Sequence, residues 1–228
     1  MNCPRCKNER KVKNGFIKDI QRYKCKECGY NYTVEKRSNE HSLSTKKFAL
    51  QLYLEGLGFR SIGRLLKVSN VSVLNWIRAF GNDVKSLQSE SCNIEIVEVD
   101  EMHSYISQKK NYCWIWIAVN RLDKKFVNFV IGDRSNKTAK KFWKSINHHE
   151  MGTIASDYWK PYESIIPKEK HIQSKAETFT VEGYNSLFRH FLARMRRKSK
   201  CYSKCVKMLE LSMLLLMHSR NGTLSILN

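Results

Sequence analysis

Ile94-Glu-Ile-Val-Glu-Val-Asp100 and Tyr112-Cys-Trp-Ile-Trp-Ile-Ala-Val119 are the runs on which the fold turns. Both are β-branched and aromatic. The second is apolar on both faces, the mark of a strand at the centre of a sheet. Phe126 to Ile131 adds a third run, and together the three predict an antiparallel meander. Further on, Lys137 to Asn147 reads as a helix, Gly152 to Ser156 as a short buried strand and Thr178 to Arg196 as a long helix. Strands followed by alternating helix and strand predict an α/β domain over 93–228.

Acids mark this domain. Asp100 closes the first strand, Asp157 follows the fourth and Glu182 lies early in the long helix. A carboxylate at the tip of a buried strand is costly unless it is solvated, paired or metal-bound. Glu182, Asn185, Ser186 and Arg189 fall at i, i+3, i+4 and i+7, one polar stripe. Three carboxylates gathered from separate elements repel one another, and two Mg2+ or Mn2+ ions relieve that repulsion. Such a metal pair supports in-line phosphoryl displacement. Spacing alone leaves solvated surface acids as the other reading. Strand alternation turns Glu101 away from Asp100. Asp133, after the third strand, is either a rival ligand or a salt-bridged turn residue. His171 and the His148-His149 pair lack metal-ligand spacing.

The chain opens on a different chemistry. Cys3-x2-Cys6 and Cys25-x2-Cys28 have the two-knuckle spacing of one structural Zn2+ with four thiolate ligands. Arg5, Lys7, Arg10, Lys11, Lys13 and Arg22 share that segment, so the ion would stiffen a basic surface. Residues 1–34 therefore read as a zinc ribbon, with strands at Gln21–Cys25 and Tyr30–Thr33, and 35–43 as a polar linker. No apolar leader is seen ahead of Cys3, so reduced, metal-bound thiols in the cytoplasm are expected rather than disulfides. Cys201 and Cys205, four residues apart, are expected to pack on one helix face.

Residues 44–82 turn helical. Phe48, Leu52 and Leu54 mark one helix, Gly56 and Gly58 break it, and Ser61 to Leu66 begins a second. Asn70 or Ser72 is placed to cap a third, whose Val73, Trp76, Ile77 and Phe80 sit at i, i+3, i+4 and i+7. This is a helix-turn-helix pattern, with Asn70, Ser72 and Asn75 facing base edges and Arg78 a phosphate; a packing role without DNA is the other reading.

Lys and Arg number 41 against 21 Asp and Glu, a formal charge of +20. A polyanion is the economical partner, and counterion release makes nucleic acid the natural one. The apolar run Leu209 to Met217 is too short to cross a membrane and reads as a buried helix. Arg189, Arg194, Arg196, Arg197 and Lys198 open a stretch to Lys207 that holds no acid and is expected along bound DNA.

Asp100-Glu-Met-His-Ser-Tyr, Lys109-Lys110 before Trp114-Ile-Trp-Ile-Ala, Ile131-Gly-Asp-Arg-Ser and Ser156-Asp157-Tyr-Trp-Lys-Pro-Tyr162 resemble transposases of the insertion-sequence-one family. So do Thr180-Val-Glu182-Gly-Tyr-Asn185, Leu187-Phe-Arg189, and Leu192-Ala-Arg-Met-Arg-Arg-Lys-Ser199 with Tyr202-Ser-Lys204. The resemblance implies an RNase H-like catalytic domain of the DDE type, with Asp100, Asp157 and Glu182 on the acidic positions and Arg189 as the basic residue two turns later. It further implies binding of the element's inverted-repeat ends, end cleavage, and transfer of 3′-hydroxyls to target DNA. A homodimer or larger synaptic assembly in a prokaryotic, nucleoid-associated setting follows. A non-catalytic regulator and a hydrolytic nuclease of the same fold are the competing functions.

Overall fold

A computed structural model describes residues 2–17, 19–33, 41–84 and 91–227. Residues 35–40 of the expected linker and 85–90 of the connection after the third helix lie outside the described residues. The chain divides into two compact units, Met1–Ser42 and Leu43–Asn228.

The first unit is a three-stranded antiparallel sheet of β1 (Lys11–Ile17), β2 (Ile20–Cys25) and β3 (Asn31–Thr33). The sequence reading missed β1, whose alternation is obscured by Lys11, Lys13 and Asn14. Its core consists of buried Cys3, Cys25 and Tyr32 with Tyr23 and Cys28 packed against them.

The second unit begins with α1 (Leu43–Leu54), α2 (Phe59–Leu65) and α3 (Asn70–Asp83). Gly56, at φ +87°, lets the chain leave α1 in a conformation that side chains resist. Ser69, not Asn70 or Ser72, caps α3 by accepting from the Val71 amide at 3.0 Å. α2 and α3 meet so closely that a Cβ on Gly63 would lie 2.8 Å from the Val68 carbonyl.

Next come β4 (Asn93–Tyr105), β5 (Tyr112–Asn120), β6 (Lys125–Gly132), α4 (Asn136–Ile146), β7 (Glu150–Ser156), α5 (Lys160–Ile165), β8 (His171–Gln173), α6 (Phe179–Phe191) and α7 (Val206–Arg220). The sheet order is β6-β5-β4-β7-β8, antiparallel among the first three strands and parallel across β4-β7-β8. Period-2 alternation splits its faces. Val97, Val99, Trp116 and Ala118 pack with α4, Tyr162 and Ile166. Met102, Ile115, Ile117 and Val119 pack with α1, α3, α6 and α7.

α1–α3 share that second core, and the Tyr53 hydroxyl donates to Ser212 of α7 at 2.7 Å. The expected boundary between 44–82 and 93–228 is thus no break in packing. β4 also runs five residues past Asp100, because His103, Ser104 and Tyr105 pair with β5 despite their polarity. α6 ends at Phe191 rather than Arg196, since Leu192 turns extended and buries its side chain.

Candidate active site

Parallel register builds the acidic centre. Glu98 of β4 pairs with Ala155 of β7, so two residues further Asp100 comes alongside Asp157, just past the last residue of β7. Side chains at matched positions of parallel strands share a face. Because β7 stops at Ser156 while β4 continues, the edge of β4 beyond Asp100 is free, and an open cleft of about 920 Å3 runs along it past Glu101, Met102 and His103, beside Asp100 and Asp157 rather than lined by them. The stripe expected on α6 lines it: Glu182, Asn185, Ser186 and Arg189.

Asn185 donates to Asp100 at 2.5 Å, while its own Oδ1 is buried with no hydrogen-bond partner. Burial, then the charges of Glu101, Asp157 and Glu182, push the Asp100 carboxyl up to about 7, against a backbone amide that pulls it down. An acid held so far up by burial and by the charges around it is suited to a cation. Asp157 accepts from the Trp159 amide at 3.0 Å, and Glu182 sits exposed in the first turn of α6. Asp100 feels the charges of Asp157 and Glu182, but the three acids do not close on one point: among the described residues, only the four cysteines bring three or more ligand atoms within 4.8 Å.

The neighbouring acids are occupied. Glu101 points to the other face, as strand alternation requires, where Arg134 grips it and the Tyr162 hydroxyl donates at 2.8 Å. The Arg134 guanidinium lies between the rings of Trp114 and Trp159, at 4.5 and 4.3 Å. Asp133 accepts from Ser135 and Thr138 at the start of α4, hydroxyls that hold its carboxyl below the usual range. Among the described residues it makes no ion pair, so the salt-bridged reading is corrected to a helix-terminal turn.

Buried Glu98 was not singled out in the sequence, although an acid inside an apolar strand was a legible signal. It accepts from Arg121 Nε at 2.6 Å and from the Val181 amide of α6 at 2.9 Å. Arg121 reaches on to the Glu177 carboxylate at 2.7 Å, so these groups fix the first turn of α6, one residue from Glu182. Arg121→Met leaves Glu98 buried and unpaired, a loss of about 3–5 kcal/mol. Thermal melts should show that loss, and cleavage should fall further than binding of DNA.

The basic segment needs one correction. Arg194 is buried, donating to the Tyr53 hydroxyl at 2.6 Å and Ser203 at 2.7 Å, and is a structural pin rather than a DNA contact. Arg196, Arg197 and Lys198 are exposed, and Arg189 is half-buried on the cleft wall. Cys201 and Cys205 are exposed outside any helix body, so the expected packing face does not exist.

In the first unit, Cys3 and Cys28 sulfurs lie 3.6 Å apart, as do those of Cys6 and Cys25. Tetrahedral zinc with Zn–S near 2.3 Å needs sulfurs spaced by about that much. The Asn8 amide favours the Cys6 thiolate, but the surrounding sulfurs and burial push that thiol up to about 12. Four sulfurs at this spacing are a donor set that fits Zn2+.

On α3, Asn70, Asn75 and Arg78 are exposed, Ser72 is partly so, and Arg78 lies 3.5 Å from Asn75 Oδ1.

Mixed α/β architecture, four clustered cysteines and a cleft lined by Glu182 together with Arg189, Arg196 and Arg197 are the features that the family assignment has to accommodate. The family model described as IS1 transposase matches residues 93–218. The chain belongs to the IS1 transposase family. It is 30% identical over 115 residues to the insertion element iso-IS1n protein InsB of Shigella dysenteriae, covering 50% of this chain and 88% of that protein. Insertion element IS1 4 protein InsB of Escherichia coli K12 is 33% identical over 122 residues, 54% of this chain and 73% of that protein. Among solved structures, a simian T-cell lymphotropic virus intasome in complex with PP2A regulatory subunit B56 gamma is similar at TM-score 0.33 and 14% identity, over 62% of this chain and 57% of that one. That likeness carries no argument. Among the described residues, no helix is long and apolar enough to cross a membrane.

Proposed function

We propose that this chain binds the terminal inverted repeats of its insertion sequence, cleaves at their ends and transfers the 3′-hydroxyls to target DNA. The observation that carries this reading is the register that sets Asp157 beside Asp100 under a helix bearing Glu182. The mixed sheet, with its meander followed by parallel strands, supports an RNase H-like reading of 93–228.

Asp100, Asp157 and Glu182 would hold two Mg2+ or Mn2+ ions, which when bound activate a water or 3′-hydroxyl and steady the leaving oxygen. The chain's own residues do the rest. Asn185 holds Asp100 in place, and the Glu98–Arg121 pair sets the start of α6. Arg189 on the cleft wall meets the scissile strand's phosphate.

DNA reading is assigned to 44–82, with Asn70, Ser72 and Asn75 toward base edges and Arg78 toward phosphate. The zinc ribbon of 1–34 supplies a further basic surface. Asn75→Ala relaxes end preference at an interaction worth about 1–3 kcal/mol, whereas Arg78→Ala weakens every sequence alike and lowers the salt slope by about 1. Titrations of end and scrambled duplexes at several salt concentrations separate the two. Unchanged selectivity in the Asn75 variant makes the ribbon the reader.

Joining two ends to one target calls for a dimer or larger assembly, in a prokaryotic cytoplasm at the nucleoid. A strand-transfer assay with Mg2+ tests the whole reading. Joined products support it; nicks alone indicate a hydrolytic nuclease, and binding without either indicates a regulator.

A further inference from the structure

Beside the cleft that Glu182 lines is a second one of about 700 Å3, and the two share His103, Arg189, Arg196 and Arg197. Lys109, Lys198 and Lys200 add to its charge, and no carboxylate lines it among the described residues. Its wall is aromatic. Tyr105, at the end of β4, and Tyr202 stand with ring centroids 4.9 Å apart, and the Lys204 ammonium lies 4.6 Å over Tyr202.

This wall is fixed in place. The Ser107 amide donates to the Ser203 carbonyl at 2.8 Å, tying the β4–β5 hairpin to the loop after α6. Ser203 is held in turn by buried Arg194. Lys198 adopts φ 55°, a left-handed conformation that costs a side-chain-bearing residue and is retained where surroundings impose it. That turn leaves Arg196, Arg197 and Lys198 exposed at the cleft mouth.

Cations along a groove with rings in its wall are what an unpaired nucleic-acid strand requires: phosphates meet the charges and bases lie on the rings. Paired bases in a duplex hide their faces. A cleft of this volume suits small ligands, so it admits an unpaired nucleotide and excludes a double helix. Resting on the transposase reading above, we propose that this cleft takes unpaired nucleotides of the DNA strand next to the scissile phosphate, with a base stacked on the Tyr105–Tyr202 pair. Local opening of the duplex is then part of substrate recognition, and the strand passes from this basic cleft into the acids.

The test compares two labelled duplexes of arbitrary sequence, one blunt and one with a short oligothymidine overhang, titrated in buffer without Mg2+. The full-length protein should bind the overhang form about tenfold tighter, the effect of stacking one base. Tyr105→Leu and Tyr202→Leu should each bring the two affinities together while leaving blunt-duplex binding unchanged. Tyr202→Trp should retain the preference, which separates stacking from damage to the fold. Equal affinities in the unaltered protein, or a preference that survives both Leu variants, overturns the proposal and leaves the transposase reading standing. Failure to bind either duplex overturns both.

Discussion

Asp100→Asn, Asp157→Asn and Glu182→Gln should each lower cleavage and joining by about 10^3-fold or more while end-DNA affinity in Mg2+-free buffer holds or improves. Losing a single hydrogen bond to a transition-state charge already costs about 10^2 to 10^3 in rate, and each of these acids is assigned a ligand role. Binding responds oppositely, because each substitution removes negative charge facing the phosphates. Asp133→Asn should retain activity, since its carboxylate is spent on Ser135 and Thr138.

Asp100→Asn has a second, independent signature. The folded-state carboxyl titrates at about 7 rather than 3.8, so the folded protein binds the proton more tightly than the unfolded chain. Without Mg2+, the stability contributed by Asp100 is therefore fully present below about pH 4 and is lost as pH rises through about 7. At about 1.4 kcal/mol per pH unit, about 4 kcal/mol is the ceiling of that loss. Asn at position 100 cannot ionise, so the melting temperature of the variant should fall less across the window than that of the unaltered protein and exceed it at pH 8. Added Mg2+ should raise the melting temperature of the unaltered protein alone. Identical pH profiles for the two proteins would show that Asp100 does not stand in the crowded acidic field described.

Cys25→Ser should unfold the ribbon and leave the second unit's melting transition in place. The ribbon's core is Cys3, Cys25 and Tyr32 with little else, too small to hold β1–β3 together by apolar burial. Metal binding supplies most of the folding energy in such domains, about 10–16 kcal/mol in zinc-finger peptides. Leu43–Asn228 keeps its own two apolar clusters and needs no zinc. Elemental analysis should find one zinc per chain, and amide exchange should show protection over residues 11–33 collapsing in the variant. A folded, zinc-free preparation with that protection intact would contradict the assignment.

Much of this was legible because local chemistry left regular marks. Cysteine spacing named the four clustered thiols, β-branched and aromatic runs named β4, β5 and β6, and 3.6-residue spacing put Glu182, Asn185, Ser186 and Arg189 on one face of α6. Strand alternation separates Asp100 from Glu101. Those features depend on residues near one another in the chain.

Tertiary structure decided the rest. The side-by-side placing of Asp100 and Asp157 depends on the β4–β7 register, set by packing across a helical crossover that no local pattern encodes. Likewise, α6 stops at Phe191 because Leu192, Ala193 and Met195 find burial elsewhere, which draws Arg194 into a pocket with Tyr53, 141 residues away in sequence. A charge reads as surface in any one-dimensional pattern. Its fate turns on whether distant hydroxyls and rings wait to receive it, as they do for Arg194, or whether solvent does, as for Arg196 and Arg197.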